Sequence, residues 1–200
     1  MNIFDTRDHR TPDHDVCNIF PSRWSPRAMN GEPIGSDILM SLFEAARWAP
    51  SCFNNQPWRF LYAHRTGPHW AAFLDLLRPQ NREWCVHAAV LMVAVSNDTF
   101  DYNGKPDRSH SFDTGAAWEN LALEGTMRGL VVHGMLGFDR DRARSELGIP
   151  DGFTVEAMIA VGVPGNPDIL PDRLREQEHP SNRKPVEDFT AEGTFIDKLS

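Results

Sequence analysis

Cysteine is scarce in this chain. Its three thiols, Cys17, Cys52 and Cys85, stand far apart and form no Cys-x-x-Cys pair, so neither a disulfide framework nor a thiolate metal site is expected, and a reducing cytoplasm is the natural compartment. Ligand spacing is equally absent from the eight histidines, and no metal site is assigned. Long hydrophobic runs are missing too. The stretch Ala88 to Val95 is far shorter than the roughly 20 apolar residues a membrane span needs, and no charged-then-apolar signal segment opens the chain. A soluble, unexported protein without a membrane partner is the expectation. Nor is there an excess of positive charge: with a formal net charge of −8 the chain lacks the basic face that a nucleic acid requires. A small molecule is the more fitting partner.

Familiar catalytic signatures are also absent. There is no Gly-x-Ser-x-Gly elbow and no Walker loop, and Gly162-Val163-Pro164-Gly165 lacks the dinucleotide-binding glycine spacing. The acidic residues are spread along solvated faces, so no acid–base pair is nominated and no catalytic side chain is assigned. If this chain catalyses a reaction, a cofactor carries the chemistry.

What is present suits one domain: 200 residues, 40% hydrophobic and 24% charged, are enough to bury a core. Residues 1–20 read as a loose N-terminal arm, with a short helix or turn near His14 to Phe20. Ser36 reads as the N-cap of a helix in which Ile38, Leu39, Leu42, Phe43 and Ala46 recur at helical spacing until Pro50. Trp58, Phe60 and Tyr62 alternate with Arg59 and Leu61 as in a half-buried strand. A helix over His69 to Leu77, ending at Pro79, and a buried strand over Ala89 to Val95 follow. Asp101 to His110 is polar and reads as an exposed loop. The segment Phe112 to Leu130 predicts a central core helix, with Ala116, Leu123, Met127 and Leu130 on one stripe and Gly115, Gly125 and Gly129 permitting close approach. Asp141 to Leu147 is a short helix closed by Gly148-Ile149-Pro150, and Val155 to Val163 alternates as a strand. Beyond Pro164, four further prolines and many charges argue against a packed core element. Residues 165–200 read as an extended segment crossing a surface, its own or a partner's. Helices and strands mix without a βαβ rhythm or a repeat, which makes this an α+β domain.

Four constellations could carry chemistry. Arg23-Trp24-Ser25-Pro26-Arg27 sets two guanidinium forks and a hydroxyl within five residues, a set suited to phosphate oxygens; surface arginines beside a polar turn would look the same. Ala49 to Trp58 is a polar elbow whose Ser51, Asn54 and Gln56 could answer the pyrimidine edge of a flavin, although these are also ordinary turn residues. Val131 to Asp139 follows the long helix, and Gly134 and Gly137 would let backbone approach a flat ring; a glycine-rich helix exit with a structural His133 is the plainer account. Asn182-Arg183-Lys184-Pro185 could close a phosphate clamp or be a solvated charge pair.

In this order, Arg-x-Ser-x-Arg, Ala-Pro-Ser-x-x-Asn-x-Gln-Pro-Trp-x-Phe, Gly-Ala-Ala-Trp-Glu-Asn-Leu, Met-x-Gly-Phe-Asp and Val-Gly-Val-Pro-Gly, the chain resembles the nitroreductase family of FMN enzymes from about Arg23 to Pro185. The resemblance implies a nitroreductase-like α+β fold with a central, mostly antiparallel sheet flanked by helices. It also implies an intertwined homodimer, with FMN at each subunit interface and the C-terminal segment wrapped around the partner. By family position Arg23 and Ser25 hold the phosphate and ribityl chain, with Trp24 in the same seat. Arg183 joins the phosphate from the tail, and Arg27 lies against the pyrimidine side. Ser51, Asn54 and Gln56 fall where polar contacts reach the flavin or the dimer interface, and Met135, Leu136 and Gly137 where backbone meets the ring. The implied reaction is ping-pong: NADH or NADPH reduces the flavin at N5, then a nitroaromatic, quinone or similar small acceptor takes the electrons. A flavin-sequestering protein of the same fold is the alternative. Two residues depart from the family pattern. Leu136 stands where many relatives have a small or acidic residue, and Pro26 removes a backbone donor. The choice of substrate falls to the 101–112 loop and the partner subunit.

Overall fold

The computed structural model describes residues 3–195, so the first two residues of the expected arm and the last five of the expected tail lie outside it. Along the chain run α1 (Ile19–Ser22), α2 (Ser36–Arg47), β1 (Trp58–His64), α3 (Trp70–Leu76), α4 (Pro79–Cys85), β2 (Val90–Asn97), α5 (His110–Met127), β3 (Val131–Met135), α6 (Arg140–Glu146), β4 (Phe153–Gly162) and α7 (Asp172–Arg175). The strands form one antiparallel sheet in the order β1-β2-β4-β3. The fold is α+β, as the sequence predicts.

β2 is inner and covered on both sides, which is why it reads as an unbroken apolar run. Val90, Met92 and Ala94 face Leu39, Leu42 and Ala46 of α2 and Ala117, Leu121 and Ala122 of α5. Leu91, Val93 and Val95 face a second core with Phe73 and Leu76 of α3, Trp84 and Cys85 of α4 and Ala143 of α6. The sheet is thus the middle of three layers.

The buried stripe of α5 differs from the expected one. Thr114, Ala117, Leu121, Ala122, Gly125 and Thr126 are buried, while Met127 is 64% exposed. Small residues face the sheet because the helix lies tight against it: a Cβ on Gly125 would come within 2.4 Å of the Val132 side chain. Gly115 and Gly129 have open space instead. Gly129 takes φ 71° just past the helix end, the left-handed position glycine favours.

Two elements escape the sequence pattern. Pro79 ends α3 but also opens α4, at a first-turn position where its missing N–H leaves no bond unmade. β3 is short and contains Gly134, whose lack of a side chain admits the Trp118 ring, 3.1 Å from where a Cβ would stand. What reads as a helix exit is therefore an edge strand. The tail corrects the expectation that nothing after Pro164 packs: Leu170 and Leu174 are buried in the core. The arm is also held. Trp24 Nε1 donates to the Ile3 carbonyl at 2.8 Å and Thr6 Oγ1 to the Pro21 carbonyl at 2.8 Å. No helix among the described residues is long and apolar enough to cross a membrane.

Leu121→Ala is expected to destabilise the fold by about 2–5 kcal/mol, because it empties a site between α5 and the sheet. Met127→Ala should stay within about 0.5 kcal/mol. Urea denaturation of the two variants checks the rotated stripe; equal losses would contradict it.

Candidate functional site

The site begins where the segment 23–30 meets the end of β4. Asn30 N donates to the Val163 carbonyl at 3.0 Å and Gly165 N to the Ala28 carbonyl at 2.9 Å. This closeness needs glycine on the other side: a Cβ on Gly165 would stand 2.6 Å from the Met29 backbone, and one on Gly162 2.7 Å from Met29 Sδ. The Val-Gly-Val-Pro-Gly sequence is thus the room that seats the arginine segment.

Two further anchors aim that segment. Glu178, from the tail, accepts from Arg27 N at 2.6 Å and Ala28 N at 2.7 Å through Oε1, with its side chain only 3% exposed. Its Oε2 is buried, has no hydrogen bond among the described residues and lies 3.7 Å from Arg27 Nη1. On the other flank His133 of β3 approaches the Pro26 carbonyl with Nδ1 at 2.9 Å. A carbonyl only accepts, so Nδ1 carries the proton. The ring packs on Trp84 with centroids 4.6 Å apart. Burial pushes the His133 pKa down to about 4, with Arg27 and Arg23 adding to the fall and the Pro26 and Ser25 carbonyls opposing it. The histidine is neutral and structural, as in the plainer sequence account.

Around these anchors lies a cavity of about 360 Å³ lined by Arg10, Arg23, Trp24, Ser25, Arg27, His133, Gln177, His179, Ser181 and Arg183. Four of the expected residues, Arg23, Ser25, Arg27 and Arg183, meet here with their polar groups. Arg23 Nη1 donates to Ser25 Oγ at 3.2 Å, and its Nε lies 3.6 Å from Glu119 of α5. Burial lowers the Arg23 pKa, Glu119 partly offsets this and Arg183 adds to it. Trp24 contributes differently, since its indole N–H is spent on Ile3 and the side chain is buried. Glu178 and Arg10 belong to the site but carry no local sequence signal.

The elbow stands elsewhere. None of Ser51, Asn54 and Gln56 lines the arginine cavity; they precede β1, at the opposite edge of the sheet from β3. Ser51 Oγ accepts from Gln56 N at 3.0 Å, and Gln56 Nε2 donates to the Asn54 carbonyl at 2.9 Å. Asn54 is exposed, and its neighbour Asn55 is the anchoring amide. Asn55 donates to Thr99 O at 3.2 Å and Asp107 Oδ2 at 3.0 Å, and accepts from Asp101 N at 2.9 Å. The backbone is left-handed at Phe53, Asn54 and Gln56, with φ of 51°, 55° and 50°, costing roughly 1–2 kcal/mol for each. Phe53, 77% exposed, meets the rings of Phe100 and Tyr102 at 5.9 and 5.8 Å.

The third expected group divides. Met135 turns inward, with Sδ 3.8 Å from the buried Cys85 thiol. Leu136 is 65% exposed. Gly137 accepts from Arg78 N at 3.0 Å and Asn81 Nδ2 at 3.1 Å, and a Cβ there would press on Asn81 at 2.5 Å.

The sequence model of the nitroreductase family matches residues 21–163, and the chain belongs to that family. A solved structure described as an oxidoreductase containing FMN is 44% identical, with a TM-score of 0.90 over 94% of this chain and 96% of that one. An NADH dehydrogenase of Thermus thermophilus is 28% identical over 195 residues, covering 82% of this chain and 89% of its own. A nitroreductase family protein of Clostridium difficile, 19% identical, shares the fold with a TM-score of 0.69 over 91% of this chain and 100% of its own.

The histidine gives a pH test. The unfolded chain protonates His133 near pH 6.5, the folded chain only near pH 4. Between those values the unfolded state binds more protons, so this contribution is full above about pH 6.5 and is lost as pH falls toward 4, by roughly 3 kcal/mol. His133→Asn, which keeps a donor for Pro26, should flatten that slope in urea denaturation from pH 4 to 7. An unchanged slope would assign it to other groups.

Proposed function

We propose that this chain binds FMN and acts as an NAD(P)H oxidoreductase. It passes electrons from NADH or NADPH to a nitroaromatic, quinone or similar small acceptor in a ping-pong sequence. What supports this is the arginine cradle: four guanidinium groups around one cavity, with Glu119 at 3.6 Å and Glu178 at 3.7 Å both beyond hydrogen-bond reach of them. Four guanidinium groups against two carboxylates leave a net positive charge at the cavity, which fits a phosphate ester. The 44% identical oxidoreductase that contains FMN names the flavin that carries it.

FMN would supply reversible two-electron chemistry that no side chain here provides. Arg23, Ser25 and Arg183 would hold the phosphate and ribityl end. Arg27, fixed by Glu178, would set a positive charge beside the pyrimidine edge, where it stabilises negative charge on reduction. Neutral His133 keeps the Pro26 turn in place without adding a competing charge. No side chain needs to act as acid or base.

The elbow and the cradle lie on opposite edges of the sheet, and the elbow holds the position of polar contacts to the flavin or to the dimer interface, so a homodimer would complete each site with the partner's elbow. Exposed Met40, Trp48, Phe112 and Met127 offer apolar surface for that pairing. We read residues 1–200 as one such domain, with residues 165–200 reaching toward the partner and a cytoplasmic setting for the three free thiols. The Phe53, Phe100 and Tyr102 cluster suits a flat aromatic acceptor.

Purified protein is expected to show a flavin absorbance spectrum that NADH or NADPH bleaches anaerobically and a quinone or nitroaromatic restores. Flavin that neither nicotinamide bleaches would leave binding without reduction. Arg23→Ala should weaken FMN binding roughly 10- to 100-fold, the effect of losing one charge-assisted phosphate contact. Unchanged affinity would remove Arg23 from the site.

A further inference from the structure

The cradle contains a guanidinium that lies outside the family match. Arg10 precedes residue 21, where that match begins, and reaches the cavity from the N-terminal arm. Its Nη1 donates to the Pro21 carbonyl at 2.6 Å and the Arg23 carbonyl at 2.7 Å, and its Nε to the Ser181 carbonyl at 2.8 Å. These partners are neutral and belong to α1, the arginine segment and the tail. Nearby, Asp13 accepts from Val186 N at 2.8 Å and the His9 ring stacks on His179 at 5.7 Å. Arm and tail are clasped together at the cavity mouth.

Arg10 is thus held in a fixed pose beside Arg23 and Arg183, and all three line both the 360 Å³ cavity and an adjoining one of about 840 Å³. Burial lowers its pKa to about 10, with repulsion from Arg183 and Arg23 adding to the fall. A residue that served only to staple carbonyls would gain nothing from like charges on two sides. A doubly charged phosphate turns that repulsion into attraction.

We propose that Arg10 is a third arginine of the phosphate site, brought from the N-terminal arm to grip the cofactor's phosphate together with Arg23 and Arg183. This rests on the FMN reading. The arm then closes the site, and the clasp with the tail sets the pose of the guanidinium.

Riboflavin, which lacks the phosphate, separates gripping from stapling. The full chain, freed of flavin, is titrated with FMN and with riboflavin by fluorescence quenching. Arg10→Gln keeps a donor for the carbonyls and removes the charge. It is expected to lower FMN affinity about tenfold or more while riboflavin affinity stays within about twofold. Arg7→Ala, at an exposed arm residue paired with Asp5, should change neither. Equal losses for both flavins, or no loss for FMN, would overturn the proposal and leave Arg10 a staple. Should Arg10→Gln fail to fold, Arg10→Lys keeps the charge without the fork, and its FMN-to-riboflavin affinity ratio should fall about threefold; an unchanged ratio overturns the proposal equally. Wild-type protein that takes up neither flavin would instead defeat the FMN reading itself.

Discussion

The site depends on one carboxylate almost sealed from water. Glu178 spends one oxygen on two successive backbone N–H groups and faces Arg27 with the other. A buried carboxylate is costly unless it is compensated, and here the compensation comes from the strip of backbone that must be held still. The same group fastens the tail to the arginine segment, offsets part of the local positive charge and fixes where Arg27 points. Without it, four arginines would converge with Glu119 alone beside Arg23 to oppose their repulsion among the described residues.

The sheet sets the distance between the arginine cavity and the elbow. β3, at one edge, supplies His133 and lies beside the arginine segment; β1, at the other, begins at the elbow. Three inter-strand steps of about 4.8 Å separate those edges. The glycines of the β4 end and of β3 act at contacts rather than hinges, admitting Met29 and the Trp118 ring. Layer spacing, set by small residues on α5, and strand spacing, set by hydrogen bonding, thus fix the frame on which the polar groups are displayed.

Much of the fold was legible because it rests on local periodicity. α2, α5, α6, β1, β2 and β4 each announce themselves by spacing, cap or apolar run. α4 and β3 did not, since Pro79 reads as an end and Gly134 as a break. The buried face of α5 was misjudged because large apolar residues draw attention while small ones make the contact. At the site, Arg23, Ser25 and Arg27 were legible as charge at fixed local spacing, and Arg183 as a cationic cluster. Glu178 and Arg10 were not: Glu178 answers Arg27, 151 residues away, and Arg10 ties the arginine segment to Ser181, 171 residues away. Asn54 and Asn55 are indistinguishable as letters. Only the left-handed backbone decides which amide turns toward Thr99 and Asp107.

That backbone has a consequence for the surface it displays. Glycine could adopt the conformation of Phe53 without the Cβ clash, so the chain carries a phenylalanine at the expense of local stability. Its ring is thereby held out from the surface on a bracket whose shape is fixed in advance by Ser51, by Asn55 and by Asp113 of α5, which accepts from Cys52 N at 2.9 Å. A surface built this way has little left to rearrange on contact. Whatever meets it would find a finished edge, so that contact would select among orientations and need not mould one.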